Sequence, residues 1–302
     1  MVNLQLQLLL LLAAGFVLGK LRMISSTTRD QLTDIVIDVV LPCSIIASFQ
    51  VEMTAGILRA SFQALLAALG IQVLYWVLNL FLYKRYPPDE QTSCKYATMV
   101  TNASFIGIPV VTALYGAGGT LLASIFVLPQ RIFMWAYGLP MYTKVEKKEA
   151  AKKILTHPCI LSIFIGLAVM ALYNAGIRLP QFVSATLETV GDCTTPLCFF
   201  VIGSIVSDMK LRELWDKRMF LFSFYRFLAI PILLAVILSL LPAEELAAQV
   251  SVLLSAMPAA TTTVILAQKY NRNPKFASKL LVGSTVLSMV TIPAVTSLLE
   301  YL

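Results

Sequence analysis

Long apolar runs alternate with short polar gaps along the whole chain, at a length and spacing that suit helices crossing a bilayer. One crossing takes roughly 20 apolar residues. The pattern predicts spans over residues 4–19, 31–49, 60–81, 96–115 and 121–142, then 157–177, 184–206, 220–241, 246–267 and 277–299. The two sets of five are separated by a polar gap at 143–156. The first run starts within a few residues of Met1, without a basic leader or a small-residue cleavage site, so it reads as a span and not as a removed signal peptide.

Composition agrees with this pattern. Of 302 residues, 58% are hydrophobic and 13% charged, and the mean hydropathy is +0.82. Such a chain is neither disordered, nor a disulfide scaffold, nor an ordinary cytosolic enzyme, and ten spans leave no room for a separate soluble domain. The expected fold class is an all-α integral membrane protein of ten transmembrane helices, multi-pass in the cell (inner or plasma) membrane.

The charge then orients the spans. The net charge is +7, yet 19 of the 23 Lys and Arg fall in or at the edge of the gaps after spans 1, 3, 5, 7 and 9, among them Arg29, Lys144, Lys147, Lys148, Lys153, Lys210, Arg212, Arg218 and Arg272. The opposite side has Arg59 and Arg178. By the positive-inside bias both termini are extracytoplasmic and the basic gaps cytoplasmic. Basicity is thus a matter of topology, and no nucleic-acid partner is expected. Cys43, Cys94, Cys159, Cys193 and Cys198 show no metal-ligand spacing and read as buried small hydrophobes.

Five spans in each half would enter the membrane from opposite sides, as in many secondary transporters. Asp34, Asp38 and Pro42 in span 2 recur as Glu188, Asp192 and Pro196 in span 7, at a constant offset of 154. This register divides the chain into repeats 1–142 and 157–302, joined by the short basic loop 143–156. Spacing of i and i+4 puts each carboxylate pair on one helix face. A charged carboxylate in hydrocarbon costs at least ~2.5 kcal/mol, so these acids should face protein or water, pair with a cation, or be protonated. Asp34 and Glu188 lie near span ends and suit solvation. Asp38 and Asp192 lie deeper and suit an ion site, a proton carrier, a substrate contact or a salt bridge. Arg131 and Arg226 are the cations within spans. Both could pair with the acids; Arg131 could instead bind an anion through its forked donors, and Arg226 could snorkel to the cytoplasmic end.

Spans 4 and 9 both carry helix breakers. Thr101-Asn102-Ala103-Ser104-Phe105-Ile106-Gly107-Ile108-Pro109 is polar and ends on Gly107 and Pro109, and Ser255-Ala256-Met257-Pro258-Ala259-Ala260-Thr261-Thr262-Thr263 repeats the device. Each proline removes a donor and frees the carbonyl four residues earlier, Phe105 or Leu254. Irregular backbone at this depth is tolerated only when buried in protein or lining a cavity, so the breaks mark the expected binding site. Half-helices beginning after the prolines would offer N–H groups to an anion, and freed carbonyls could hold Na+. The glycosylation sequon at Asn102 lies too deep to be used.

With these motifs the sequence resembles the auxin efflux carriers, which include plant PIN-FORMED carriers and bacterial carboxylate permeases within the bile-acid, arsenite and riboflavin transporter superfamily. The resemblance covers nearly the whole chain. It rests on the run from Asn102 to Gly116, on Met257-Pro258 followed by Ala267-Gln268-Lys269-Tyr270-Asn271, Ala277-Ser278 and Ile292-Pro293, and on Pro42, Pro196-Leu197 and Gly203. It implies crossing helices 4 and 9, an elevator-like motion and a homodimer. Helices 1, 2, 6 and 7 would form a scaffold, and helices 3–5 and 8–10 a transport domain. The span 4 asparagine is Asn102 and the crossover prolines are Pro109 and Pro258. The gap 143–156 is far shorter than the plant cytoplasmic loop, so this is a bacterial-type member in which loop phosphoregulation is not expected. Asp192 stands near a polar substrate contact of the plant carriers, which argues against auxin itself.

The expected function is secondary transport of a small organic anion such as malate, malonate or another weak acid. Asn102, Gly107, Pro109, Pro258, Thr261, Thr262 and Arg131 would contact substrate, and Asp38, Asp192, Asp34 and Glu188 would serve coupling. Na+ near the crossover, H+ and uncoupled uniport are all open, and no other cofactor is expected. An intramembrane aspartyl protease would need Gly-x-Gly-Asp, where Thr189-Val190-Gly191-Asp192 lacks the first glycine. His157 is the only histidine and suits an interfacial structural role, which leaves metal and Ser-His chemistry without a second group. A channel is disfavoured because no filter-like repeat is visible.

Overall fold

A computed structural model describes residues 2–143, 152, 155–208 and 217–299. Lys144, Lys147, Lys148, Lys153, Lys210 and Arg212, with most of the 143–156 gap, lie outside the described residues. Among those described the chain is helical, with one isolated β-bridge. The α-helices are α1 (Val2–Lys20), α2 (Ser26–Ile35), α3 (Leu41–Ser48), α4 (Ala55–Phe81), α5 (Pro88–Met99), α6 (Ile108–Phe133), α7 (Pro158–Asn174), α8 (Gln181–Asp192), α9 (Thr194–Ser207), α10 (Lys217–Phe224), α11 (Ile230–Ser239), α12 (Glu245–Ser255), α13 (Thr262–Lys269) and α14 (Pro274–Leu299).

Six helical stretches are long and apolar enough to cross a membrane: Ser26–Ser48, Ala55–Phe81, Ala103–Met141, Gln181–Ser207, Lys217–Ser239 and Pro274–Ser297. Leu6–Lys20, Pro158–Asn174 and Glu245–Ser255 are shorter apolar helices. At 1.5 Å per residue the 39-residue stretch Ala103–Met141 would run about 58 Å, nearly twice the hydrocarbon thickness. It is divided at Gly116, whose φ of 61° and ψ of −152° are open to glycine and strained for other residues. The sequence pattern places a gap at this point.

Prolines shape several helices. The π-helical turns Val36–Val40, Ala103–Gly107, Met134–Gly138 and Tyr225–Ala229 each end two residues before a proline: Pro42, Pro109, Pro140 and Pro231. The missing N–H and the ring's clash with the carbonyl four residues back are relieved by one wider turn. Pro129 and Pro293 sit inside α6 and α14 without one.

The chain forms two compact units. The first comprises Met1–Phe62, Phe105–Ile125 and Leu155–Met209. Here α1 lies against α9 so closely that a Cβ on Gly15 would stand 2.5 Å from the Phe200 carbonyl oxygen, and one on Gly203 would run into the Leu12 carbonyl. Small residues let membrane helices approach in this way. Gly191 of α8 faces the Ser44 backbone of α3, and Gly166 of α7 faces the Phe49 ring. Arg29 donates to Ser204 Oγ at 3.1 Å and pairs with Asp208, tying α2 to the end of α9. His157 caps α7, its Nδ1 accepting from the Cys159 N–H at 3.3 Å. Substituting Gly203 by leucine should lower the detergent melting temperature, by overpacking of about 1–3 kcal/mol. Gly70→Leu, with nothing within 4 Å of its Cβ position, should leave it unchanged.

The second unit comprises Gln63–Ser104, Phe126–Ile154 and Lys210–Leu302. Its buried cluster joins Tyr83, Cys94, Ala97, Met219, Phe222, Ala259, Phe276 and Leu280, drawing on α5, α10 and α14. Burial pushes the Tyr83 phenol well above the usual tyrosine range, so it stays neutral beside Thr98 Oγ1 at 3.0 Å. Arg218 pairs with Glu90, Arg272 with Asp89 at 3.0 Å, and the Arg218 guanidinium lies 5.8 Å from the Tyr86 ring centroid. Arg29, Arg218 and Arg272, read from the sequence as topological charges, are therefore also ion-pair partners. The five cysteines are free thiols; Cys94, Cys159 and Cys198 are buried as expected, but Cys193 is exposed.

Candidate functional site

The second unit holds the feature on which the site is built. Between α5 and Ala103 the chain is non-helical for three residues, and between α12 and α13 it is irregular from Ala256 to Thr261. These two interruptions pair as an antiparallel bridge, Thr101 with Ala259. The Asn102 N–H donates to the Pro258 carbonyl at 2.8 Å, and the Ala260 N–H to the Val100 carbonyl at 3.3 Å.

Backbone groups freed inside a membrane protein need partners, because an unpaired one costs several kcal/mol where water is absent. Several other groups around the bridge are met by side chains from four other helical segments. Gln130 of α6 donates through Nε2 to the Thr101 carbonyl at 2.7 Å, while its Oε1 accepts from Thr101 Oγ1 at 2.9 Å. Ser284 of α14 accepts the Ala259 N–H at 3.1 Å. Arg226, on the Tyr225–Ala229 turn, donates through Nε to the Met257 carbonyl at 2.9 Å and through Nη1 to the Thr98 carbonyl at 3.2 Å. Tyr75 of α4 reaches the Ser255 carbonyl at 3.4 Å. From Val100 to Asn102 and from Ala256 to Ala260 the bridge region is thus buried and closely braced.

The two prolines are not placed alike. Pro258 gives its carbonyl to the bridge, four residues before α13 starts, whereas Pro109 is the second residue of α6, well past the bridge, and its carbonyl accepts from Thr195 Oγ1 at 3.3 Å. The Leu254 carbonyl, expected to be freed, accepts from the Met257 N–H at 3.3 Å. Asn102 is buried with its backbone in the bridge, and Gly107 closes the π-helical turn before α6. Thr261 is exposed, and Thr262 Oγ1 accepts from Tyr96 OH at 3.0 Å. The first turn of α13 has no capping side chain, its Thr263 and Val264 N–H groups donate to the Ala260 and Thr261 carbonyls at 3.0 Å, and the positive end of the helix lies two residues past the bridge. Ser104 Oγ and Thr263 Oγ1 are buried hydroxyls without a hydrogen-bond partner among the described residues.

Arg131 lies near the end of α6, half-buried, with Nη1 3.9 Å from Met134 Sδ and a buried Nε that has no hydrogen-bond partner among the described residues. Arg226 is 1% exposed, which corrects the snorkelling reading. Asp34, Asp38, Glu188 and Asp192 all lie in the first unit and are exposed, and none makes a side-chain hydrogen bond or ion pair among the described residues. Arg131 and Arg226, the cations considered as their partners, belong to the second unit. The i, i+4 spacing gives a shared face and says nothing about which way that face points.

Gln130 and Ser284 escaped the sequence reading, and Arg226 is read there only as an ion-pair partner or a snorkelling cation. A signal for them exists: Gln130 and Ser284 are 154 residues apart, as are Gln72 and Arg226, the same offset that relates Asp34 to Glu188.

The family model described as membrane transport protein matches residues 1–296. An uncharacterized transporter of Methanothermobacter thermautotrophicus is 23% identical over 292 residues, 95% of each chain. An uncharacterized transporter of Methanocaldococcus jannaschii is 22% identical over 274 residues, 86% of each chain.

Proposed function

The chain belongs to the membrane transport protein family of auxin efflux carrier type, and from that premise we propose that it is a secondary active transporter of a small organic anion. The family and the named relatives point to transport rather than catalysis. The observation that carries the anion reading is the crossing itself. An uncapped helix N-terminus, spare buried hydroxyls and the cation Arg226 converge on it within one unit, a donor-rich environment that suits a carboxylate. Asn102, Thr261 and Thr262 bind the ligand there, with Gly107, Pro109 and Pro258 shaping the backbone and Arg131 attracting its charge.

Alternating access is of the elevator type. Helices 1, 2, 6 and 7 act as scaffold, and helices 3–5 and 8–10 as transport domain. That grouping is supported by the first unit, which gathers α1–α3 and α7–α9, although it also includes 105–125. Two inverted five-helix repeats, ten spans in all, are supported by Gln130 and Ser284, which stand one repeat offset apart and brace opposite sides of the bridge. Coupling to H+ or Na+ runs through Asp38 and Asp192, with Asp34 and Glu188 at their outer flanks. The carrier works as a homodimer through the scaffold helices, in the cell membrane, with both termini extracytoplasmic.

The test is uptake of radiolabelled malate, malonate, oxalate, indole-acetate and a bile acid into proteoliposomes under imposed Na+, proton and voltage gradients. Saturable uptake and counterflow of at least one acid are expected. Uptake of none would sink the anion reading.

A further inference from the structure

Arg226 has an unusual environment for a buried charge. It is 1% exposed and makes no ion pair among the described residues. Its guanidinium lies 4.8 Å from the Tyr75 ring centroid and bonds the Met257 and Thr98 carbonyls, while Nη2 is buried without a hydrogen-bond partner among the described residues. Thr98 is in the last turn of α5, and Met257 follows the end of α12, so the cation sits at two helix C-termini, each carrying about half a negative charge. Those carbonyls are also the ones through which the chain enters the bridge. Elsewhere around the bridge the bracing is done by neutral groups, Gln130 and Ser284. Neutral donors would satisfy these two carbonyls as well, without bringing a charge out of water. One repeat offset earlier the chain has the neutral Gln72, so the charge is present on one side only.

We propose that Arg226 is a specificity-determining positioning residue: a fixed cation built into the crossing, which locks the two interrupted segments and supplies the positive charge that selects an anionic substrate. The inference rests on the organic-anion reading above. Arg226 does not touch the ligand. It acts through space, where a charge in a low-dielectric interior is felt over many ångströms, and through the Met257 and Thr98 carbonyls that set the backbone next to Pro258 and Thr101.

The experiment compares wild type with Arg226→Lys, Arg226→Gln and Arg226→Ala in proteoliposomes, with malate, malonate, oxalate and indole-acetate as probes. KM and maximal rate are measured separately, and folding is checked by size-exclusion profile and melting temperature. Arg226→Gln should raise KM roughly tenfold or more, whereas Arg226→Lys, which keeps the charge, should stay within about threefold. Uptake by Arg226→Ala should be restored by methylguanidinium and not by the neutral N-methylurea. A wild-type KM in Arg226→Gln overturns the proposal. So does equal rescue by both small molecules, or a rise in Arg226→Lys of roughly tenfold. Arg226→Lys decides the matter even if the neutral variants fail to fold. Wild-type protein that takes up none of the acids removes the anion reading and this inference together; active wild type with an unaffected Arg226→Gln removes this inference alone.

Discussion

Gln130→Leu should reduce transport by at least about tenfold and destabilise the protein by about 2–4 kcal/mol. Leucine fills a similar volume, so the loss comes from hydrogen bonding and not from a cavity. Both the Thr101 carbonyl and the Thr101 hydroxyl would lose their partner at a buried position. Ser284→Ala removes one acceptor from the Ala259 N–H and should cost less, about 1–3 kcal/mol. The two side chains brace the two strands of a single bridge, so the double variant should depart from additivity. Thermal melting in detergent gives the stability effect and counterflow in proteoliposomes gives the rate. A Gln130→Leu protein that transports at the wild-type rate would show that the bridge need not be held.

The second large effect should come from Asp38→Asn combined with Asp192→Asn, and it should be separable from stability. Both carboxylates are exposed and without side-chain partners among the described residues, so the substitutions should change stability by less than about 0.5 kcal/mol. A carboxamide neither carries a proton nor balances a cation. Gradient-driven accumulation of the substrate should therefore collapse to equilibration, while counterflow, which needs no coupling, should continue. Measuring both in the same vesicles distinguishes a coupling role from a general defect. Accumulation at wild-type levels in the double variant would place coupling elsewhere.

Much of this architecture could be read before any coordinates, and the failures share a cause. Hydropathy marked an all-helical membrane chain because burial in lipid acts on whole runs of residues, six helical stretches being long and apolar enough to cross, and Gly116 falls where the pattern breaks. Pro109 and Pro258 announced irregular backbone in the right stretches. Their own geometry differs, because where a strand pairs depends on its partner: Pro258 lies in the bridge and Pro109 beyond it. The bracing roles of Gln130, Ser284 and Arg226 were invisible to local reasoning, since each satisfies a backbone group on another element. Arg226 lies near a span end, which suggested snorkelling, yet the turn before Pro231 carries it inward. Counting basic residues by gap captured their bias but passed over Asp89, Glu90 and Asp208, the acids that Arg272, Arg218 and Arg29 engage.

The bridge between Thr101 and Ala259 also sets a schedule for biosynthesis. Its two strands are separated by 158 residues of chain, and ribosomes add about 5–20 residues per second, so the first strand is made on the order of ten to thirty seconds before the second. Throughout that interval the end of α5 is inserted without the Pro258 carbonyl. Gln130, synthesised only 29 residues after Thr101, reaches its partner early. A nascent chain that has Gln130 but not yet Ser284 would therefore hold one strand in waiting, and variants at Gln130 should be cleared by membrane proteases during assembly more readily than variants at Ser284.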